Sequence, residues 1–258
     1  MNRTPLVAGN WKMNKTVPES LALVAGIGAA LPRLDGVEVA LLPPFTSLWP
    51  VSTSGIADRG VVLGAQNLYW ETSGAFTGEI SPAMLSGWCR YGLIGHSERR
   101  RLFGETDENV NRKVHAALSA GLRPMVAVGE TLEENEAGRT EEVLGRQVPA
   151  GLAGLDQAQG LQVVMAYEPV WAIGTGKTAT PDHAEQSCAL IRRLVAQALG
   201  TAVAESVRIL YGGSVTPANA AELMSQPNID GALVGGASLV AADFLAIVAA
   251  AARHDVVR

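Results

Sequence analysis

Three side chains in this sequence are of types that move protons, and each stands at the end of a short apolar run. Lys12 follows "LVAGNW" with Asn10 nearby, His96 follows "YGLIG" and leads into Ser97 and Glu98, and Glu168 follows "VVMAY". A carboxylate so placed is a candidate general base, and a histidine at the start of a helix can act as hydrogen-bond donor or acid. Two further runs end in glycine-rich turns, Gly212-Gly213-Ser214 and Gly235-Gly236. Such turns offer backbone N–H groups with little steric obstruction, and at helix N-termini they cradle a phosphate dianion. Lys12 adds positive charge. The set suits proton transfer on a small phosphorylated carbonyl compound, and neither a metal-ligand cluster nor a Ser/His/Asp pattern competes with it.

Taken singly, each group has a plainer reading. A lone histidine at a strand end is commonly a satisfied polar residue. Lys12 reads as a solvated lysine, Glu168 as a loop acid, and the paired glycines as turn formers. Trp11, Trp88 and Trp171 read as packing residues rather than cofactor platforms. Placement changes the balance. In parallel α/β architectures the C-terminal strand ends form one face where ligands bind, and surface decoration has no reason to collect there.

The elements that must do the positioning are eight apolar, β-rich runs: Leu6–Gly9, Val37–Leu42, Val61–Ala65, Tyr91–Gly95, Met125–Val128, Val163–Tyr167, Val207–Tyr211 and Gly231–Val234. Most lack polar alternation, as strands covered on both faces do. Helical spacing fills the intervals. Ser81-Pro82, Thr180-Pro181 and Thr216-Pro217 read as an N-cap followed by proline at the first helical position, and Thr131 with Glu134 reads as a capping box. After Thr180 the apolar positions include Cys188, Ile191, Leu194, Val195, Ala198 and Leu199. Eight strand–helix units in about 250 residues predict a single (β/α)8 barrel domain over residues 1–258. The rival, a doubly wound open sheet, lacks its usual G-x-G-x-x-G after the first strand, where "VAGNWKMN" stands instead. Gly176-Lys177-Thr178 mimics the tail of a nucleotide-binding P-loop, but Trp171 occupies the place of that motif's first glycine.

With 258 residues, 48% of them hydrophobic, the chain can bury a sizeable core, and its net charge of −5 gives no electrostatic footprint for nucleic acid. No basic cluster suggests a membrane surface. Cys89 and Cys188 are expected as free buried thiols in a reducing compartment. The opening "MNRTPLVAGNWKMN" has too short an apolar run for a signal peptide, and no run approaches transmembrane length. A soluble cytoplasmic protein is the expectation.

At its chemical residues the sequence resembles the triosephosphate isomerase family, nearly end to end. The segments "GNWKMN" (9–14), "QNLYWETSGAFTGEISP" (66–82), "GHSERR" (95–100), "YEPVWAIGTGK" (167–177), "YGGSV" (211–215) and "LVGGASL" (233–239) match its signatures in order. The resemblance implies a (β/α)8 TIM barrel. It implies cofactor-free and metal-free interconversion of dihydroxyacetone phosphate and glyceraldehyde 3-phosphate, in glycolysis and gluconeogenesis. It makes Glu168 the base, His96 the electrophile, and Lys12 and Asn10 the substrate-holding pair, with Glu98 a supporting carboxylate near Lys12. Phosphate would take backbone N–H groups from Gly174, Ser214, Gly235 and Gly236. The 66–82 segment would build a homodimer, carrying Thr77 towards the partner's Asn10 and the partner's Lys12. Residues 169–177 resemble a lid, with Pro169-Val170-Trp171 and Lys177-Thr178-Ala179 as hinges; this family is itself the type case of such a gate. Proline after Glu168 keeps that residue extended at the strand end. Ala127 stands where the family often has cysteine, and Ala232 where a bulkier aromatic is common, departures that bear on fine-tuning. Two alternatives remain: another sugar-phosphate isomerase, or an inactive homologue serving as a binding protein.

Overall fold

A computed structural model describes residues 3–31, 36–172 and 179–254. Eight parallel strands run in sequence order around a closed barrel: β1 (Leu6–Asn10), β2 (Glu38–Leu42), β3 (Val61–Ala65), β4 (Tyr91–Ile94), β5 (Arg123–Val128), β6 (Val164–Tyr167), β7 (Arg208–Tyr211) and β8 (Gly231–Val234). Closure comes from β1, which pairs with β2 on one side (Leu6 opposite Glu38) and with β8 on the other (Leu6 opposite Gly231).

The uniform apolarity of the strands follows from this closure. Successive side chains point to opposite faces. Leu6, Ala8, Ala40, Leu42, Leu93, Met125 and Leu210 pack together inside the barrel, while Val7, Val39, Leu41, Val126 and Ile209 belong to the layer beneath the helices. Neither face meets water. Ala127 is buried in the inner cluster and Ala232 in the outer one, so both departures from the family pattern fall in packed regions.

The helices are α1 (Val17–Ala30), α2 (Phe45–Ser52), α3 (Pro82–Leu85), α4 (Ser97–Phe103), α5 (Asp107–Ser119), α6 (Leu132–Glu136), α7 (Thr140–Leu152), α8 (Gln157–Gly160), α9 (Pro181–Leu199), α10 (Thr201–Ser206), α11 (Ala220–Met224) and α12 (Ala241–His254). Three of the expected starts are present. Ser81 accepts from Met84 N, Thr180 accepts from His183 N, and Thr131 and Glu134 form a capping box. Thr216-Pro217 is a correction. A turn stands there, in which Thr216 N donates to Asn219 Oδ1 and Ala220 N to the Thr216 carbonyl, and α11 begins only at Ala220. Asn219, a good turn former, closes this turn through its Oδ1 and gives α11 no side-chain cap. In α9 the buried face is Cys188, Ile191, Val195 and Leu199; Ala198 is exposed. Trp11 and Trp171 pack as expected, but Trp88 is 41% exposed and packs against the exposed Trp49, with ring centroids 5.0 Å apart.

The N-terminal end of the barrel is plugged by charge. Arg208 donates to Tyr91 Oη at 2.6 Å and to Glu38 Oε2 at 2.5 Å, and Arg90 donates to Glu38 Oε1 at 2.9 Å. Burial opposes ionisation of Glu38, yet the Arg208 hydrogen bond and charge hold its carboxyl below the ordinary range. Both cysteines are free and buried. Burial pushes the Cys89 thiol up to about 12 and Cys188 well above its ordinary value, so neither is an available nucleophile. Among the described residues, no helix is long and apolar enough to cross a membrane.

Candidate active site

At the opposite, C-terminal end, a cavity of about 280 Å³ is lined by Asn10, Lys12, His96 and Glu168 and by the turns at Gly212-Gly213-Ser214 and Gly235-Gly236. The elements that end here are β1, β4, β6, β7 and β8. Thus the groups scattered through the sequence do converge, with Glu98 joining them through Lys12.

Lys12 sits just past β1 with φ of 52°, a left-handed conformation that costs a non-glycine residue about 1–2 kcal/mol. Neighbours hold it there: its N–H donates to Asn10 Oδ1 at 3.1 Å, and its carbonyl accepts from Gln66 Nε2 at 2.9 Å. Gln66 also binds the Leu42 carbonyl at 2.8 Å, tying the loops after β1, β2 and β3 together. The ammonium donates to Glu98 Oε1 at 2.7 Å. Burial disfavours the Glu98 anion, but the Lys12 hydrogen bond and charge prevail and lower its pKa. Strained backbone is tolerated where the surroundings over-determine it, as they do around Lys12.

His96 precedes α4 and caps it. Its Nδ1 accepts from Glu98 N at 3.1 Å, which requires an unprotonated Nδ1 and places the ring proton of a neutral imidazole on Nε2. That Nε2–H lies 3.0 Å from Glu168 Oε1. The other oxygen of Glu168 accepts from Ser97 N at 2.9 Å. Glu168 is 2% exposed, so its charge depends on these donors. Two glycines make the approach possible. Gly95 has φ of 76°, turning the chain from β4 into α4; Gly95 N donates to Glu105 Oε1 at 2.8 Å. At Gly212 a Cβ would lie 3.0 Å from Glu168 Cγ, so a side chain there would crowd the carboxylate's stem.

With this geometry fixed, comparison with known proteins decides the family. The family model described as triosephosphate isomerase matches residues 5–251. The chain belongs to the triosephosphate isomerase family. Relatives bearing that name include the protein of Chloroflexus aurantiacus, 55% identical over 247 residues (95% of this chain, 98% of the relative). That of Symbiobacterium thermophilum is 55% identical over 254 residues (97% and 98%), and that of Carboxydothermus hydrogenoformans 53% over 247 (95% and 98%).

Gly174 and the central part of the family's lid segment, residues 173–178, lie outside the described residues. Thr77 is exposed and apart from the cavity lining. Among the described residues no group of His, Cys, Asp and Glu side chains could hold a metal ion. Sequence reading missed the second layer. Besides Gln66, it includes buried Glu105, which also accepts from Lys113 Nζ at 2.6 Å and Arg99 Nε at 2.8 Å, and Glu130, which is fully buried. Glu130 takes hydrogen bonds from Tyr167 and Trp171. Gln66 lies inside a signature segment of the triosephosphate isomerase family, which was the available signal; Glu105 and Glu130 look like surface acids until the fold buries them.

Proposed function

We propose a division of labour for the isomerisation of dihydroxyacetone phosphate and glyceraldehyde 3-phosphate, the activity carried by this family membership. Glu168 removes a carbon-bound proton next to the substrate carbonyl and returns it to the neighbouring carbon. His96, as the Nε2–H neutral imidazole, donates to the oxygen that turns negative in the enediolate; triosephosphate isomerases are themselves the type case of a neutral histidine electrophile. Lys12, with Asn10 shaping its loop, supplies positive charge to the substrate, and Glu98 holds the Lys12 ammonium in place. Backbone N–H groups of Ser214, Gly235 and Gly236 receive the phosphate, joined by Gly174. An enediolate beside a phosphate-bearing carbon readily expels phosphate, so excluding water and fixing the phosphate protect the intermediate.

The observation that carries the reading is the pairing of Glu168 with the Nε2 of His96 at 3.0 Å, in a cavity bordered by the two glycine turns. The pair sets a base and a hydrogen-bond donor within reach of one small substrate. Assay with both triose phosphates, and with a larger sugar phosphate as control, tests it. Turnover confined to the triose phosphates is expected. Turnover of the larger sugar alone would favour a different isomerase, and none at all a binding protein.

We further infer a homodimer through the 66–82 loop, in the cytoplasm. The support is that most exposed large apolar side chains (Met13, Leu21, Trp49, Phe76, Met84, Trp88, Leu102 and Phe103) come from segments following the first four strands, against Leu132, Leu161 and Val240 from later ones. Exposed apolar surface commonly marks an interface.

A further inference from the structure

Tyr167 and Trp171 flank Glu168, one residue before it and three after, and a single side chain from another element touches both. His183 lies in the first turn of α9. Its Nε2 is 3.3 Å from the Tyr167 hydroxyl, and its ring stands edge-on to the Trp171 indole, with centroids 5.5 Å apart and planes at 73°.

The stretch between them is fastened to Glu130. Val170 N donates to the Glu130 carbonyl at 3.0 Å, and Trp171 Nε1–H donates to Oε1 at 2.8 Å. The Tyr167 hydroxyl is 3.0 Å from the same oxygen, and Asn135 Nδ2 reaches it at 3.2 Å. A fully buried carboxylate depends on such donors, so the state of Tyr167 matters to Glu130.

Tyr167 has one hydroxyl proton and two lone pairs. Burial raises the pKa of its phenol far above the ordinary value, so the proton stays in place. Directed to the Glu130 carboxylate, that proton leaves the oxygen able only to accept. His183 Nε2, 3.3 Å away, then bonds to it only as the N–H tautomer.

We propose that His183 is a positioning residue for the isomerisation: its Nε2–H orients the Tyr167 hydroxyl towards Glu130, and the Glu130 carboxylate holds the Tyr167 and Trp171 side chains that flank Glu168. The proposal rests on the reading of Glu168 as the base. Without the donor, the Tyr167 hydroxyl is free to turn away, Glu130 loses a partner, and the anchor of Trp171 shifts. Small displacements of a reacting group weigh on the transition state more than on ground-state binding. Of the groups assigned to substrate binding, Gly174 alone follows the same strand; Lys12 and the glycine turns belong to others. The effect therefore falls on kcat more than on KM.

The test is steady-state kinetics on triose phosphates with two variants whose folding is checked by circular dichroism. His183→Phe keeps an aromatic edge against Trp171 and removes the donor. His183→Gln restores an N–H at similar reach. A net hydrogen bond corresponds to about a three- to tenfold change, so His183→Phe is expected to lower kcat by that factor with a smaller change in KM, and His183→Gln to recover most of it. In a Tyr167→Phe background, His183→Phe should add nothing further. Wild-type kcat in His183→Phe, equal losses in Phe and Gln, a change in KM alone, or a loss that persists without the Tyr167 hydroxyl would each overturn the proposal. Glu168→Gln is assayed alongside. Normal turnover in that variant removes the base assignment itself, whereas its inactivity together with a wild-type His183→Phe removes only the role of His183.

Discussion

The two ends of the barrel use the same kinds of side chain to opposite effect. At the N-terminal end, Glu38 is flanked by Arg90 and Arg208, and Arg208 also holds Tyr91; acid and bases are matched to one another. At the C-terminal end, Lys12, His96 and Glu168 border a cavity of about 280 Å³, with Lys12 bonded to Glu98 and His96 Nε2 3.0 Å from Glu168 Oε1. Charge closed on itself ties one end of the barrel together, while charge facing an opening is where we place the chemistry. The difference lies in remaining hydrogen-bonding capacity, not in composition.

The contrast breaks most sharply at Glu168. Glu168→Gln keeps the volume but cannot accept the substrate proton, and a positioned general base contributes about 10²–10⁴-fold. Turnover should fall by that factor while the melting temperature and the binding of a phosphorylated enediolate mimic are retained. Near-normal turnover would remove Glu168 from the role.

Whether the C-terminal end is complete within one chain is tested at Thr77. Thr77→Arg would drive an unpaired charge into the inferred dimer contact, costing about 3 kcal/mol or more, roughly a hundredfold in association. Sedimentation should show monomers, and the assay much lower activity because the loop carrying Asn10 and Lys12 loses its support. A fully active monomer would refute the coupling between assembly and activity.

Glu38→Gln is the mirror image of Glu168→Gln. It removes a charge-assisted partner of Arg208 at the far end of the barrel, worth about 2 kcal/mol, or roughly 4–8 °C in melting temperature for a chain of this size. The kcat of the folded enzyme should not move. A drop in kcat at a temperature where the variant is fully folded would show that the two ends are coupled.

The smallest effect is the acid response. Glu38 and Glu105 are both disfavoured as anions by burial, but for each the charges and hydrogen bonds of its partners together hold the carboxyl below its ordinary range. The partners are Arg208 for Glu38, and Lys113 and Arg99 for Glu105. A carboxyl depressed on folding contributes stability that is fully present above its unfolded pKa and disappears as pH falls through the folded one. Unfolding free energy measured against pH should therefore be level down to about pH 5 and decline below about 4.5. Glu38→Gln should make that decline shallower, and an unchanged slope would exclude Glu38 as a contributor.

The sequence was most legible where a single physical rule governed a whole element. β3 and β8 match the expected apolar runs end to end, and the other strands differ by one or two residues. β5 starts earlier than expected because Arg123 and Pro124 extend it with partners in β4. The first layer of the site was legible because each member ends a strand. Glu105 and Glu130 were not, because their importance comes from burial against groups far away in the chain, which no local pattern encodes; Gln66 was marked only by its place in a signature segment. Thr216-Pro217 misled because a proline after a threonine suits a turn as well as a helix start.

The pairing of β1 with β8 has a bearing on synthesis. Leu6 emerges from the ribosome some 225 residues before its partner Gly231 (231 − 6), an interval on the order of 10–40 s at ordinary elongation rates. Throughout that time the first strand lacks one of its two neighbours, and the barrel has an open seam with unpaired backbone groups along it. Pairing of such high sequence separation is slow to nucleate. The glycine turns after β7 and β8, to which we assign the phosphate, are the last parts of the candidate site to be translated, so the proposed activity waits until β8 has closed the ring.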